Sequence, residues 1–390
     1  MVIKMYRNTY VEIDLQALAS NVKNIIKEYK YKYYIGVVKG NAYGHGYGIV
    51  NTLIKNGINF LAVANLNEAL EIRKYNKNIG ILCLEPIDKK YLEICSNNNI
   101  SICVPNLEYY KSINELEFKL SIHLKLDTGM KRLGFDLKED VDYFYNDLKK
   151  HKNLKLEGIF THFATSGEYD KNYDNQVEKF EELTQNIDLS KIEIVHIDRS
   201  VTMCRHKKLK YANGVRLGII LYGFEVMHKE INNTLKSKIR KIKWNYLRKK
   251  ENISLVEPYK KIELKPAFKL ISEVFMVRKV KKGEYIGYGT NCVAEHDMLV
   301  AIVDIGYADG ISKRRYGSKM EINGKLYNVL GDVCMGMTFL EVDETVKPKD
   351  KVIVIGDDVS IRYVARHIRT SVYEVLLLID SSIERRYINE

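Results

Sequence analysis

The sequence predicts an α/β fold: a (β/α)8 barrel of the TIM type followed by a C-terminal, mainly-β domain. Three observations predict it. Short apolar, β-branched runs alternate with helix-like stretches through the first half of the chain. There are eight such runs in roughly 200 residues, which suits a closed barrel better than an open doubly wound sheet. After about Gly223 the texture changes to a Lys-rich segment and then to closely spaced strands.

The eight runs cover residues 34–39, 60–64, 80–84, 100–104, 121–126, 156–161, 193–197 and 212–216, with helical spacing between them, as at 15–29 and 66–75. That alternation is the signature of βαβ units and a parallel sheet. In the second half, strands are predicted at 268–280, 298–303, 327–330 and 351–355. Lys282-Gly283, Asn323-Gly324 and Gly356-Asp357-Asp358 are read as hairpin connections. The expected organisation is an N-terminal strand in 1–12 joining the β domain, a barrel over 13–235, a basic insertion or linker over 236–262, and the β domain over 263–390.

A chain of 390 residues with 46% hydrophobic and 29% charged residues has the balance of a soluble globular protein of two domains. The net charge of +12 is spread along the chain apart from the dense stretch 236–250, which reads as an exposed helical insertion rather than a nucleic-acid arm, because aromatic interleaving is slight. No leader pattern opens the chain and no run of eighteen apolar residues occurs, so a cytoplasmic protein without membrane or nucleic-acid partners is expected. The six cysteines are scattered, with no C-x-x-C pair and no histidine at zinc-ligand spacing, so reduced thiols and no metal site are expected.

The sharpest local signal is Val37-Val38-Lys39-Gly40-Asn41-Ala42-Tyr43-Gly44-His45-Gly46, where a lysine closes an apolar strand and a Gly-rich loop follows at once. In a barrel, catalytic groups stand at that end of a strand. A lysine there is expected to sit in a semi-apolar pocket that frees its amine for Schiff-base chemistry. On position alone, a surface lysine beside a flexible turn is an equal reading.

The segment 38–46 closely resembles the cofactor-lysine signature of the alanine racemase family. The resemblance continues in order through 63–69, 123–135, 158–164, 215–218, 287–289, 306–310, 331–335 and 373–376, nearly the whole chain. It implies a barrel with a C-terminal β domain, the cofactor pyridoxal 5'-phosphate (PLP), and a head-to-tail homodimer whose active sites share residues. It also implies an amino acid as small-molecule substrate. By the same resemblance Lys39 carries the cofactor, while Tyr43, Ser200, the backbone of Gly218 and Ile219, and Tyr373 hold its phosphate. Arg216 would face the ring nitrogen, with His162 behind it. An arginine can donate to that nitrogen but cannot protonate it, which weakens the ring as an electron sink. Racemisation needs a base on each face of the cofactor, and the resemblance assigns Lys39 to one and Tyr288, from the partner subunit, to the other. Arg132 and the backbone N–H of Met335 would hold the substrate carboxylate, and Tyr307 would line the entrance. Lys125 matches a position that is carbamylated in some members. Taken singly, Ser200 and Gly218 read as turn residues, Arg216 as an ion-pairing arginine, His162 as a core histidine, Lys125 as a partner of Asp127, and Tyr288 as one of 28 tyrosines.

The chain departs from the family pattern at Arg199, Leu217 and Gly336, none of which removes a catalytic group, and in its terminal Ser382-Ile383-Glu384-Arg385. Asp332 stands where the family usually has an arginine near the substrate corridor, which favours a cationic side chain on approach. About two dozen extra residues lie between Gly223 and Pro266. The leading reading is interconversion of L- and D-alanine for peptidoglycan. The alternatives are a racemase of the same type acting on serine or a basic amino acid, and a catalytically degenerate PLP-binding homologue.

Overall fold

The computed structural model describes residues 7–165, 171–225, 239, 242–243, 245–246, 249–250 and 262–390, and the chain divides into two compact units. The strand β1 (Tyr10–Asp14) belongs to one; the other comprises Leu18–Lys39 and Val50–Lys265. The latter is built on β2 (Tyr33–Val37), β3 (Phe60–Val63), β4 (Gly80–Cys83), β5 (Ile100–Val104), β6 (Leu120–Lys125), β7 (Leu154–Phe160), β8 (Ile194–Val195), β9 (Asp198–Arg199) and β10 (Gly214–Leu217). All pair in parallel, in the order β8-β7-β6-β5-β4-β3-β2-β10-β9. Only His196 and Ile197 separate β8 from β9, so both ends of that order are one interrupted strand and the sheet closes on itself. This is the eight-stranded barrel that the eight apolar runs predict.

These strands are apolar on both faces because helices cover the outside and packed side chains fill the inside. Phe60–Val63 and Ile100–Val104 are buried throughout. The helix Leu66–Tyr75 follows β3, its N-terminus capped by Asn65, whose Oδ1 accepts from the Glu68 N–H.

The other unit comprises Met1–Ala17, Gly40–Ile49 and Pro266–Glu390. Its strands are β1, β11 (Phe268–Val280), β12 (Met298–Val303), β13 (Lys319–Ile322), β14 (Lys325–Leu330), β15 (Thr338–Val342), β16 (Lys351–Ile355) and β17 (Glu384–Ile388). The sheet runs β12-β15-β14-β13-β16-β11-β1-β17, and β12 also pairs with β11. Closure depends on the length of β11. Its first half pairs with β16 and its second with β12, with register shifts at 270/271 and 274/276 that bend it from one neighbour to the next. The alternating burial of β15 leaves Thr338, Leu340 and Val342 facing the core.

Asn323-Gly324 makes the predicted hairpin, with φ of 52° and 77° at its two residues joining β13 to β14. One other expected hairpin connection is corrected. Gly356-Asp357-Asp358 leads into the helix Ile361–His367, because both edges of β16 are already taken by β11 and β13 and Ser360 is placed to cap the helix through the Tyr363 N–H. Lys282-Gly283, with Gly283 at a φ of 89°, lies in the expected connection between the antiparallel neighbours β11 and β12, which is long, running over 281–297 with its own bridge, Tyr285 to Val293. Most of the basic insertion lies outside the described residues. Ile239, Ile242 and Tyr246, which are described, are helical and exposed. Among the described residues no helix is long and apolar enough to cross a membrane.

Candidate active site

At the C-terminal end of β2 the chain turns at Lys39, and Gly40, Asn41 and Ala42 take φ/ψ of 62°/49°, 51°/50° and 53°/51°. Tyr43 and Gly44 continue with φ of 51° and 79°. The result is a turn of left-handed helix, closed by Gly44 N–H to Gly40 O (2.9 Å) and Gly46 N–H to Asn41 O (2.9 Å). Three non-glycine residues in that region cost about 1–2 kcal/mol each, and such strain persists only where the surroundings impose it. Here they do. Arg385 Nε donates to Gly44 O (3.1 Å), and a Cβ on Gly44 would come within 2.5 Å of Leu376 O. Lys39 itself stands two residues beyond the end of β2 and is exposed in the single chain.

Arg216, on β10, is 4% exposed. One terminal nitrogen donates to His196 Nδ1 (2.9 Å) and also bonds His196 O; the other donates to Thr161 O (2.5 Å) and Ile197 O (3.4 Å). Nε makes no hydrogen bond among the described residues. Burial pushes the guanidinium down to about 9, with Asp198 opposing, so it keeps its charge at neutral pH. Phe160 lies beneath two cations, with Arg216 Cζ at 5.5 Å and Lys125 Nζ at 5.3 Å from its ring centre.

Lys125 is 6% exposed and donates to Leu126 O (2.7 Å). Burial lowers its ammonium to about 8. It makes no ion pair with Asp127, whose carboxylate instead accepts from the N–H groups of Gly129 (2.8 Å) and Arg132 (3.0 Å) and so folds the loop that presents Arg132 to solvent. Burial, then the charges of Arg216, Arg199, Lys125 and Arg132, push the His162 imidazole down to about 2, so it is a neutral ring among cations. After β9, Ser200 Oγ accepts from the Gly218 N–H (3.2 Å), which ties the turn after β10 to the start of the helix Ser200–Arg205.

In the other unit the rings of Tyr43 and Tyr373 lie 5.8 Å apart. The loops bearing Tyr307 and Met335 are stitched together by Tyr307 N–H to Cys334 O (2.9 Å) and Ala308 N–H to Met335 O (2.8 Å). The Met335 N–H makes no hydrogen bond among the described residues. Tyr288 stands between Gly287 and Gly289, both at positive φ, and is 70% exposed. Thus Lys39, Lys125, His162, Ser200, Arg216, Gly218 and Ile219 all lie at the C-terminal ends of barrel strands, where barrel enzymes keep their chemistry. Sequence reasoning missed His196, the imidazole that bonds Arg216; its signal was a histidine inside an otherwise apolar run, Ile194-Val195-His196-Ile197. Among the described residues no group of three or more His, Cys, Asp or Glu could hold a metal ion.

Residues 13–226 match the family model "Alanine racemase, N-terminal domain" and residues 267–387 match "Alanine racemase, C-terminal domain". The chain belongs to the alanine racemase family. It is 33% identical to alanine racemase 1 of Bacillus subtilis over 392 residues, covering 98% of this chain and 94% of the relative. Among solved structures, the alanine racemase of Bacillus anthracis with bound L-Ala-P superposes with a TM-score of 0.84 at 30% identity, covering 99% of this chain and 96% of that one. The histidine racemase of Leuconostoc mesenteroides subsp. sake superposes with a TM-score of 0.85 over 100% of both chains, and its 23% identity bears on the fold alone. Membership of the alanine racemase family makes this protein an amino-acid racemase.

Proposed function

We propose that this racemase interconverts L- and D-alanine with PLP, by a two-base mechanism, and supplies D-alanine for peptidoglycan in the cytoplasm. The observation that carries the reading is Arg216: a buried cation whose terminal nitrogens are committed to the protein while its Nε–H is left over, among residues that match the family motif. A single fixed N–H donor fits an unprotonated ring nitrogen. We take the barrel as residues 13–235 and the β domain as 263–390, and by their match to the family motifs Lys39, Tyr43, His162, Ser200, Arg216, Gly218, Ile219 and Tyr373 are the residues that would hold the cofactor. Held there, PLP would supply an electron sink for negative charge at the α-carbon of an amino acid.

Arg216 donates to the ring without protonating it, which moderates that stabilisation and disfavours transamination. Arg132 and the Met335 N–H hold the substrate carboxylate, and Tyr307 narrows the entrance. Lys39 moves the α-proton on one face, and Tyr288 of the partner subunit moves it on the other. The exposure of Tyr288, Met335 and Tyr307 in the single chain, at 70%, 61% and 39%, supports a homodimer in which a second copy covers them.

The test is α-hydrogen exchange in heavy water together with chirality change, for PLP-loaded protein offered alanine, serine, lysine, arginine and histidine. Alanine is expected to lead, with activity abolished in Lys39→Ala and strongly reduced in Tyr288→Phe. A lead for lysine or arginine would move the assignment to a basic amino acid and to Asp332; PLP binding without exchange for any of them would make this a binding homologue.

A further inference from the structure

Behind Arg216 the barrel holds a chain of polar groups that the reaction does not touch. His196 Nε2 lies 2.9 Å from His123 Nδ1, His123 Nε2 lies 3.0 Å from Glu157 Oε2, and Ser101 Oγ donates to the same oxygen at 2.5 Å. His123 and His196 are fully buried and Ser101 is 5% exposed. β6 and β8 are not neighbours, and neither are β5 and β7, so both the His123–His196 and the Ser101–Glu157 bonds cross the barrel interior. Branched aliphatic side chains ordinarily fill that space. Two backbone features accommodate the chain. Glu157 is the extra residue of a bulge, since Ile122 pairs with Leu156 and His123 with Gly158. A Cβ on Gly158 would lie 2.3 Å from His123 Nδ1, so only glycine leaves room for the ring.

The hydrogen bonds admit one proton arrangement. A guanidinium can only donate, so His196 Nδ1 accepts and its proton sits on Nε2. His123 Nδ1 then accepts from His196, which puts the His123 proton on Nε2, aimed at Glu157. A carboxylate can accept both that proton and the hydroxyl of Ser101. Reversal of the link between the two imidazoles, or of the whole run from Glu157, would set two donors against each other at the Arg216 end.

We propose that Glu157, His123 and His196 form a positioning relay, terminated by Ser101, which locks one tautomer at each imidazole and aims the Nε–H of Arg216 at the cofactor ring. The relay rests on the proposed role of Arg216, but its proton order does not, and the two are tested separately. In cofactor-free full-length protein labelled with 15N in its imidazoles, His123 and His196, assigned by His123→Asn and His196→Asn, are expected to be neutral with the proton on Nε2. Glu157→Gln should shift the ring nitrogens of both histidines. A proton on Nδ1 of either ring, a doubly protonated ring, or unmoved His196 nitrogens in Glu157→Gln would overturn the relay.

In the loaded enzyme, Glu157→Gln should lower PLP affinity and kcat by about tenfold, with KM for alanine little changed, because the carboxylate-binding groups are untouched. Should Glu157→Gln fail to fold, Ser101→Ala removes only the terminal bond, and a smaller shift of the His123 Nε2 signal is then expected; no shift overturns the chain at that end. If the native protein binds no PLP while the tautomers are as stated, the assignment of function fails and the relay stands as an internal network. If it racemises alanine and the variants match the native protein in PLP affinity and kcat, the relay has no part in aiming Arg216.

Discussion

Lys125 shows how an isolated buried charge acts on the whole chain. In the unfolded chain its amine holds a proton up to about pH 10.5, in the folded protein only up to about 8, because burial disfavours the ammonium. The penalty is therefore fully present below pH 8, fades between 8 and 10.5, and is absent above. It amounts to about 3 kcal/mol from the size of the displacement. Denaturant unfolding of the native protein and Lys125→Met at pH 7 and pH 10 should show the variant's relative advantage shrinking by most of that amount; a gap independent of pH would mean that the amine is not desolvated. At this scale the sequence was legible for the places of Lys39 and Arg216, expected at strand ends and found just after β2 and near the end of β10. It was not legible for His196 and His123, whose link crosses between strands that are not neighbours and exists only once the barrel has closed.

The turn 39–44 is the element whose shape depends most on its surroundings. The run Gly40-Asn41-Ala42-Tyr43-Gly44 announced a loop, but local propensity gives no reason for Asn41, Ala42 and Tyr43 to wind left-handed, since each loses energy doing so. The reason lies some 330 residues away, where the helix Val372–Leu378 and β17 press on the turn through Leu376, Leu377 and Arg385. Two glycines separate the conformational cost from the steric one. Gly283 has φ of 89° and open space around its Cβ position, so Gly283→Ala should cost only the left-handed penalty, about 1–2 kcal/mol. Gly44 has φ of 79° and would set its Cβ against the backbone carbonyl of Leu376, so Gly44→Ala should cost clearly more and displace Tyr43 from Tyr373. Unfolding midpoints and PLP affinity of the two variants check this; equal losses would mean that the helix yields to the added methyl. The long, strongly apolar strands were predicted to within a residue or two. β13 and β17 were missed because charged residues interrupt their short apolar runs, and β15 because only its alternate positions are buried, so that it shows no continuous apolar run.

At the scale of the whole molecule, the change of texture near Gly223 marked out a barrel and a β-rich remainder, but could not show that residues 40–49 pack with the latter, because that grouping is made by tertiary contacts rather than by composition. The proposed homodimer makes a demand that a monomeric enzyme would not. If each active site takes Lys39 from one copy and Tyr288 from the other, neither Lys39→Ala nor Tyr288→Phe contains an intact site as a homodimer. A mixed dimer does: one site receives the native Lys39 of the Tyr288→Phe chain and the native Tyr288 of the Lys39→Ala chain, while its second site receives both substitutions. Equal amounts unfolded together and refolded should form mixed dimers in half of the assemblies, each with one working site, so about a quarter of the native activity should return. Mixing without exchange of subunits should restore nothing, which separates complementation from residual activity in either variant. Failure to recover activity in dimers shown to be mixed would place Lys39 and Tyr288 in the same copy, or leave Tyr288 outside the site. The 70% exposure of Tyr288 in the single chain would then need another explanation.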